Sequence, residues 1–391
     1  MLLSLALIFI VGMSLGKICE LIKLPSLVGM ILTGILLGPY ALNLLDSSVL
    51  DISTQLRQIA LIIILARAGM NLDLSELKKV GRPAILMCFV PACFEILGTV
   101  IFAPIFFGLT TLESLVLGTV IAAVSPAVIV PRMLKLKDEG YGTKKAIPQL
   151  VMAGASVDDV FVIVLFTAFS TLAQTGELDY TSFFVIPTSI IFGILGGVII
   201  GLALSFVFSK IHMADTSKVI LMLSISFILV TVESWFTGAI GFSGLLAIMA
   251  MGLTLRGKKL EMTTRVSAKF SKLWSAAQIL LFVLVGATVD ISYALEAGLF
   301  AIALIAAVLI FRAVGVLVCV AKSDLNKKER VFTIISYMPK ATVQAAIGGL
   351  PLAMGLDCGK IVLSVAVVSI LLTAPIGAFL IDNTYKKLLQ K

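Results

Sequence analysis

Apolar runs of about 20 residues recur along the whole chain, and a run of that length is what a helix needs to span the hydrocarbon core of a bilayer. Such runs leave few folds open. With 60% hydrophobic and 13% charged residues over 391 positions and a mean hydropathy of +1.13, the chain is too apolar for a water-soluble globule of its length. The runs are long and continuous where a membrane β-barrel would need short alternating ones, so helices are left to satisfy the backbone inside lipid. The pattern predicts spans over Leu2 to Cys19, Ser26 to Leu42, Leu56 to Met70, Pro83 to Phe107, Leu115 to Leu134, Ala146 to Leu172 and Ser182 to Phe208. Further spans follow over Val219 to Trp235, Ile240 to Leu255, Leu273 to Val289, Ala294 to Ala321, Val331 to Met354 and Ile361 to Leu380. The expected fold class is an all-α polytopic membrane protein, one transmembrane unit over residues 1–391 with about thirteen crossings.

The net charge of +8 and a pI near 9.2 would suit a nucleic-acid binder, but the bases are not gathered for one. They crowd alternate loops: Lys78, Lys79 and Arg82; Arg132, Lys135, Lys137, Lys144 and Lys145; Arg256, Lys258, Lys259, Arg265, Lys269 and Lys272. The intervening loops are acidic or nearly neutral, with Asp46 and Asp51, Glu113, Glu177 and Asp179, then Asp290 and Glu296. By the positive-inside rule the N-terminus lies outside and the C-terminus in the cytoplasm of a multi-pass plasma (cell inner) membrane protein, with lipid and no nucleic acid as partner. Cys19, Cys88, Cys93, Cys319 and Cys358 fall in apolar runs or at their ends and read as small packing residues, so neither disulfides nor a cofactor are expected. The first run lacks a basic leader and a cleavage site and is expected to be retained, with no soluble domain before or after the spans. His212, the lone histidine, reads as a solvated loop residue, with pH sensing as the alternative.

Near the middle of the run from Ala146 to Leu172 stand two adjacent acids, Asp158 and Asp159, in Met152-Ala-Gly-Ala-Ser-Val-Asp-Asp-Val160. A charge at that depth costs roughly 3 to more than 10 kcal/mol, so it normally faces a partner, a proton relay or an ion path. Neighbouring carboxylates hold either a small cation or protons, because each proton bound removes charge that the cation needs. Competition of that kind is what cation/proton exchange requires. The pair is therefore the candidate site for a small cation, and a structural polar cluster between packed helices is the alternative.

The two halves of the chain echo each other at a separation of about 215 residues. Leu27-Val-Gly-Met-Ile31 parallels Phe242-Ser-Gly-Leu-Leu246, Gly69-Met-Asn-Leu-Asp73 parallels Gly286-Ala-Thr-Val-Asp290, and Ser125-Pro126-Ala127 answers Met338-Pro339-Lys340. Matched helices lie an odd number of spans apart, so the repeat is inverted, and such repeats bind substrates near the midplane between them. Pro126 and Pro339 sit inside their runs, where the missing amide donor and the ring clash break or kink a helix. A break in lipid survives only where protein or a water-filled cavity satisfies the freed groups. Matched prolines thus predict two crossed discontinuous helices beside the ion path, with plain kinks as the alternative. The offset of 217 between Gly69 and Gly286 also carries Glu95 onto Arg312, which predicts a buried ion pair. Lys340, just past the second break, is the remaining deep base, placed to neutralise the aspartates or the carbonyl ends of a broken helix.

Together these residues resemble the monovalent cation/proton antiporter superfamily, and most closely its NHA branch of sodium/hydrogen antiporters. The resemblance covers nearly the whole chain: Leu24-Pro25 with Gly29, Gly34 and Gly38-Pro39; Val124-Ser-Pro-Ala-Val-Ile-Val-Pro131; Gly140-Tyr-Gly142; Ser156-Val-Asp-Asp159; and Met338-Pro-Lys-Ala-Thr-Val-Gln-Ala-Ala-Ile-Gly348. It implies an antiporter fold of the NhaA type, with a core domain that carries the ion, a panel domain that makes a homodimer, and elevator-like alternating access. On that resemblance residues 1–53 and 182–272 are mainly panel, and 54–173 and 273–391 mainly core. It further implies that Asp158 and Asp159 bind Na⁺ or Li⁺ and the protons, with Asp159 the essential carboxylate. Glu95, Arg312 and Lys340 become supporting charges, and Ser125, Pro126, Pro339 and Thr342 the helix breaks.

The implied activity is secondary exchange of Na⁺ or Li⁺ for H⁺ in pH homeostasis, without enzymatic catalysis. The paired aspartates suggest electrogenic exchange, with Arg312 committed to Glu95 and Lys340 free to titrate. Bacterial exchangers with an Asp-Asp pair carry Lys at the position of Arg312, and an arginine, with a pKa above about 12, cannot release a proton as that lysine does. A K⁺/H⁺ antiporter or K⁺-efflux channel of the same fold is the alternative, disfavoured by the expected lack of a nucleotide-binding domain. An intramembrane aspartyl protease is remoter, since it needs its acids on facing helices.

Overall fold

The computed structural model describes residues 1–72, 80–175, 182–233, 235 and 241–391, and every regular element among them is a helix. Asp73, Lys78, Lys79, Glu177, Asp179 and Ile240 lie outside the described residues, as do the side chains of Ser156 and Glu296. In chain order the helices are α1 (Leu2–Leu21), α2 (Ser26–Leu37), α3 (Ser47–Asp51), α4 (Ser53–Asn71), α5 (Arg82–Met87) and α6 (Val90–Phe107). Next come α7 (Thr111–Ala122), α8 (Pro126–Glu139), α9 (Ile147–Thr175), α10 (Ser182–Lys210), α11 (Asp215–Glu233) and α12 (Gly244–Lys258). The last are α13 (Leu260–Ala287), α14 (Ile291–Val320), α15 (Lys327–Ser336), α16 (Thr342–Ile347), α17 (Leu350–Ala353) and α18 (Gly359–Leu388).

Among the described residues nine helical stretches are long and apolar enough to cross a membrane. The other expected spans fall on α2 and α12, which are short, on α4, which carries Arg57 and Arg67, and on residues 327–353, which are broken into three pieces. Length and hydropathy thus single out nine helices where the runs of sequence suggest about thirteen.

The chain forms two compact units. One comprises residues 1–54, 74–174 and 279–391. Within it α6 packs along α14 through two glycines: a Cβ on Gly98 would stand 2.9 Å from Phe311 Cγ, and one on Gly315 would stand 2.8 Å from Pro91 Cα and 3.1 Å from Phe94 Cβ. Phe94 and Phe311, Gly98 and Gly315, and Glu95 and Arg312 share one offset of 217, so each glycine receives the repeat-mate of the phenylalanine that its own mate receives. The repeat is therefore visible as a local two-fold packing, and it brings the acid of one helix against the base of the other. The far end of α8 is held by Arg132 on Asp382 at 3.1 Å and by the Tyr385 hydroxyl, which donates to Glu139 at 2.9 Å.

The second unit comprises residues 55–73 and 175–278. Gly193, Gly197 and Gly201 line one stripe of α10, and Cβ atoms there would run into Ser243, Ala247 and Met251 at or on α12. Small residues every fourth position let two membrane helices approach closely, the packing that lipid favours when no hydrophobic gain is available between helices.

Candidate functional site

Two interruptions build the centre of the first unit. Helix α7 opens on a capping box of Thr110 with Glu113 and closes at Ala122, and α8 then starts with Pro126 in its first position. A residue before proline is pushed out of the helical region, and Ser125 accordingly sits at φ −92°, ψ 108°. On the other strand of the repeat α15 opens on a capping box of Asn326 with Glu329 and ends at Ser336, and residues 337–341 run without helix before Thr342 opens α16. The two breaks touch: the Ser125 amide donates to the Pro339 carbonyl at 2.8 Å.

Each break leaves backbone groups without helical partners, and buried groups of that kind must be satisfied elsewhere. The Ile121 carbonyl accepts from Lys340 Nζ at 2.6 Å, the Ala122 carbonyl from Arg312 Nη1, and the Ala123 carbonyl from Gln344 Nε2 at 2.8 Å. The Val124 amide donates to Asp158 Oδ2 at 2.9 Å. Across the second break the Tyr337 carbonyl accepts from Arg312 Nε at 2.6 Å, and the Lys340 amide donates to Thr373 Oγ1 at 2.9 Å.

The charged side chains interlock around this crossing. Arg312, 1% exposed, pairs with Glu95 Oε2 at 2.7 Å through one terminal nitrogen and with Asp158 Oδ2 at 3.0 Å through the other. Lys340 Nζ lies 2.6 Å from Glu95 Oε1. Glu95, Asp158, Arg312 and Lys340 thus form a continuous chain of two acids and two bases whose formal charges cancel. Asp159, 9% exposed, has no ion-pair partner among the described residues. This corrects the expectation that Arg312 is committed to Glu95 and Lys340 free: the guanidinium has donors on three sides, and the ammonium reaches the second Glu95 oxygen.

The crossing therefore gathers Glu95, Ser125, Asp158, Arg312, Pro339, Lys340 and, two residues beyond, Thr342, with Pro126 at the start of α8. Asp159 shares the apolar middle of α9 with Asp158. Tyr337 is central but gives no sequence signal: it is fully buried, its hydroxyl donates to the Met87 carbonyl at 3.0 Å where α5 gives way to α6, and the Arg312 guanidinium lies 5.2 Å from its ring centroid. Gly154 leaves the room that the Tyr337 hydroxyl occupies. Gln344 was legible as the one amide in a run of small apolar residues, Ala341-Thr-Val-Gln-Ala-Ala-Ile347. The cysteines carry no disulfide, with Cys93 exposed and the other four buried. His212 is an exposed loop residue.

The profile of the family described as "Sodium/hydrogen exchanger, transmembrane" matches residues 5–386. Among proteins similar in sequence, human "Sodium/hydrogen exchanger 9B2" is 34% identical over 400 residues, covering 96% of this chain and 73% of the relative. Human "Sodium/hydrogen exchanger 9B1" is 31% identical over 396 residues, covering 96% and 76%. In structure the chain is similar to the sodium proton antiporter MjNhaP1 from Methanocaldococcus jannaschii, with a TM-score of 0.87 at 19% identity over 99% of this chain and 98% of that one. At that identity the structural likeness speaks to the fold, and it is the antiporter fold.

Proposed function

We propose that this chain, which belongs to the sodium/hydrogen exchanger family and whose activity is sodium/proton antiport, performs that exchange at Asp159, with Asp158 beside it. The observation that carries the reading is the charge count. Glu95 and Asp158 are matched by Arg312 and Lys340, which leaves Asp159 as the carboxyl whose charge no base of the cluster takes up. A carboxylate in that position is stabilised either by a proton or by a small cation, and the two exclude each other.

On this reading Asp159 binds Na⁺ or Li⁺ on one side of the membrane, and the site turns to the other side, where a proton replaces the cation. The four paired charges stay ionised throughout, so one cation exchanges for one proton and no net charge moves. The crossed breaks supply backbone dipoles and short polar side chains where a continuous helix would present only hydrocarbon. The ion-carrying part of the proposal lies in residues 54–173 and 273–391, and residues 1–53 and 182–272 are mainly a panel for a homodimer. The loops rich in Lys and Arg support an outside N-terminus, a cytoplasmic C-terminus and a place in the plasma (cell inner) membrane, in the service of pH homeostasis.

Purified protein in liposomes loaded with a pH-sensitive dye tests the assignment. Na⁺ and Li⁺ should dequench the dye in wild type, K⁺ should not, and Asp159→Asn should be silent while still inserted and folded. Robust Na⁺/H⁺ exchange by Asp159→Asn removes the assignment, and K⁺ exchange equal to Na⁺ exchange replaces the cation.

A further inference from the structure

Gln344 lies in α16 and is 1% exposed. Its amide nitrogen donates to the Ala123 carbonyl at 2.8 Å and reaches the Ile121 carbonyl at 3.4 Å. Both neighbours are acceptors only, so the nitrogen belongs on that side and the amide cannot be turned over. The oxygen Oε1 is thereby held on the opposite branch, and no protein donor reaches it. Among the other buried oxygens that share that condition are Asp158 Oδ1, Asp159 Oδ1, Ser125 Oγ and Thr342 Oγ1. Ser125 and Thr342 flank the two breaks, and Asp158 is bonded to the backbone of the first. A buried acceptor without a donor is unfavourable and calls for an explanation, and five oxygens on elements that meet at one crossing are the donor set a hard, oxygen-seeking cation requires.

We infer that Gln344 is a ligand of the transported cation, its Oε1 a neutral coordinating oxygen pre-oriented by the Ala123 and Ile121 carbonyls. The inference rests on the Asp158–Asp159 site proposed above and adds to it a member of different chemistry. A carboxylate binds the cation in competition with protons, whereas an amide oxygen does not titrate and contributes to cation affinity equally at every working pH. Gln344 therefore sets the strength of cation binding and the choice between ions of different radius, while the aspartates set the coupling to protons. Its nitrogen is anchored, so the oxygen cannot move to suit any ion offered. That rigidity is what turns a ligand into a discriminator.

The test compares Gln344→Met, close in volume and without the amide, and Gln344→Asn, which keeps the amide but shortens its reach. Exchange in proteoliposomes gives KM and Vmax for Na⁺ and Li⁺ at several pH values, and melting in detergent with and without Na⁺ reports binding apart from transport. Gln344→Met should raise the KM for Na⁺ by about tenfold, as loss of one buried polar contact does. The ratio of the Na⁺ and Li⁺ KM values should change, the change of KM with pH should keep its wild-type slope, and stabilisation by Na⁺ should weaken. Gln344→Asn should shift the ratio with a smaller loss.

A lowered Vmax with wild-type KM and an unchanged ratio shows a residue that only braces the carbonyls, and overturns the inference. Should Gln344→Met fail to fold, the Asn variant decides on the same ratio and the same Na⁺-dependent melt. Failure of the underlying site is read separately. Active Asp159→Asn removes the aspartate site, whereas silent Asp159→Asn beside a Gln344→Met with wild-type KM and ratio removes Gln344 alone.

Discussion

At the scale of single residues, the chain Asp158–Arg312–Glu95–Lys340 makes each of its inner charges, Arg312 and Glu95, answerable for two others. Removing one partner leaves an uncompensated charge in a place where water cannot reach it, so Glu95→Ala and Arg312→Ala should each destabilise by about 3–5 kcal/mol. Removing both restores the balance, because Lys340 and Asp158 remain as one base and one acid. The double variant should therefore lose less than the sum of the singles, and strictly additive melts in detergent would show that the pair does not interact. Asp158→Asn carries a different consequence. It leaves two bases against Glu95, so Asp159 is drawn into the role of permanent counter-charge and takes up a proton less readily. Exchange should fall steeply in Asp158→Asn while Na⁺ still stabilises the protein in a melt; wild-type turnover would contradict the charge count.

At the scale of elements, the placement of Glu95 against Arg312 depends on how closely α6 and α14 approach. A methyl on Gly98 meets the Phe311 ring, a side chain able to shift, whereas one on Gly315 meets the Pro91 Cα, which moves only with its helix. Both Gly98→Ala and Gly315→Ala overpack the contact, at a cost of about 1–3 kcal/mol. Gly315→Ala should lower the melting temperature more and should also reduce exchange, since the helices that carry the ion pair are forced apart. The reverse order would show that the approach at Gly315 does not govern the pair. The broken helices raise the same point about position: Pro126 opens α8 where its missing amide costs nothing, and Pro339 sits in the irregular stretch whose carbonyl receives the Ser125 amide.

At the scale of the whole molecule the observable is the charge moved per cycle. With four of the five charged residues at the crossing cancelling, a Na⁺ jump on a solid-supported membrane should give no turnover current in wild type while dye-detected exchange proceeds. A turnover current that disappears in Asp159→Asn would instead establish more than one proton per cation. The pH dependence follows from shared occupancy. Protons and Na⁺ compete for one carboxylate, so raising the external pH removes the competitor and should lower the apparent KM for Na⁺; a KM that stays flat across the titration range counts against a shared site.

The helical class, nine of the expected spans, the paired aspartates and the repeat that sets Glu95 against Arg312 were all determined by sequence, because each rests on a local cost: charge in hydrocarbon, proline in a helix, or a run of apolar residues of bilayer length. Offsets along the chain say which residues are equivalent, and a two-fold packing makes equivalents meet. What the sequence could not decide was the division of partners. One guanidinium serving Glu95, Asp158, Ala122 and Tyr337 at once, Lys340 closing on the second oxygen of Glu95, and Gln344 and Lys340 capping the end of α7 from the other half of the repeat are matters of direction and reach in three dimensions. Only the crossing of two broken helices brings those donors to those carbonyls, and with them the balance of charge that leaves Asp159 apart.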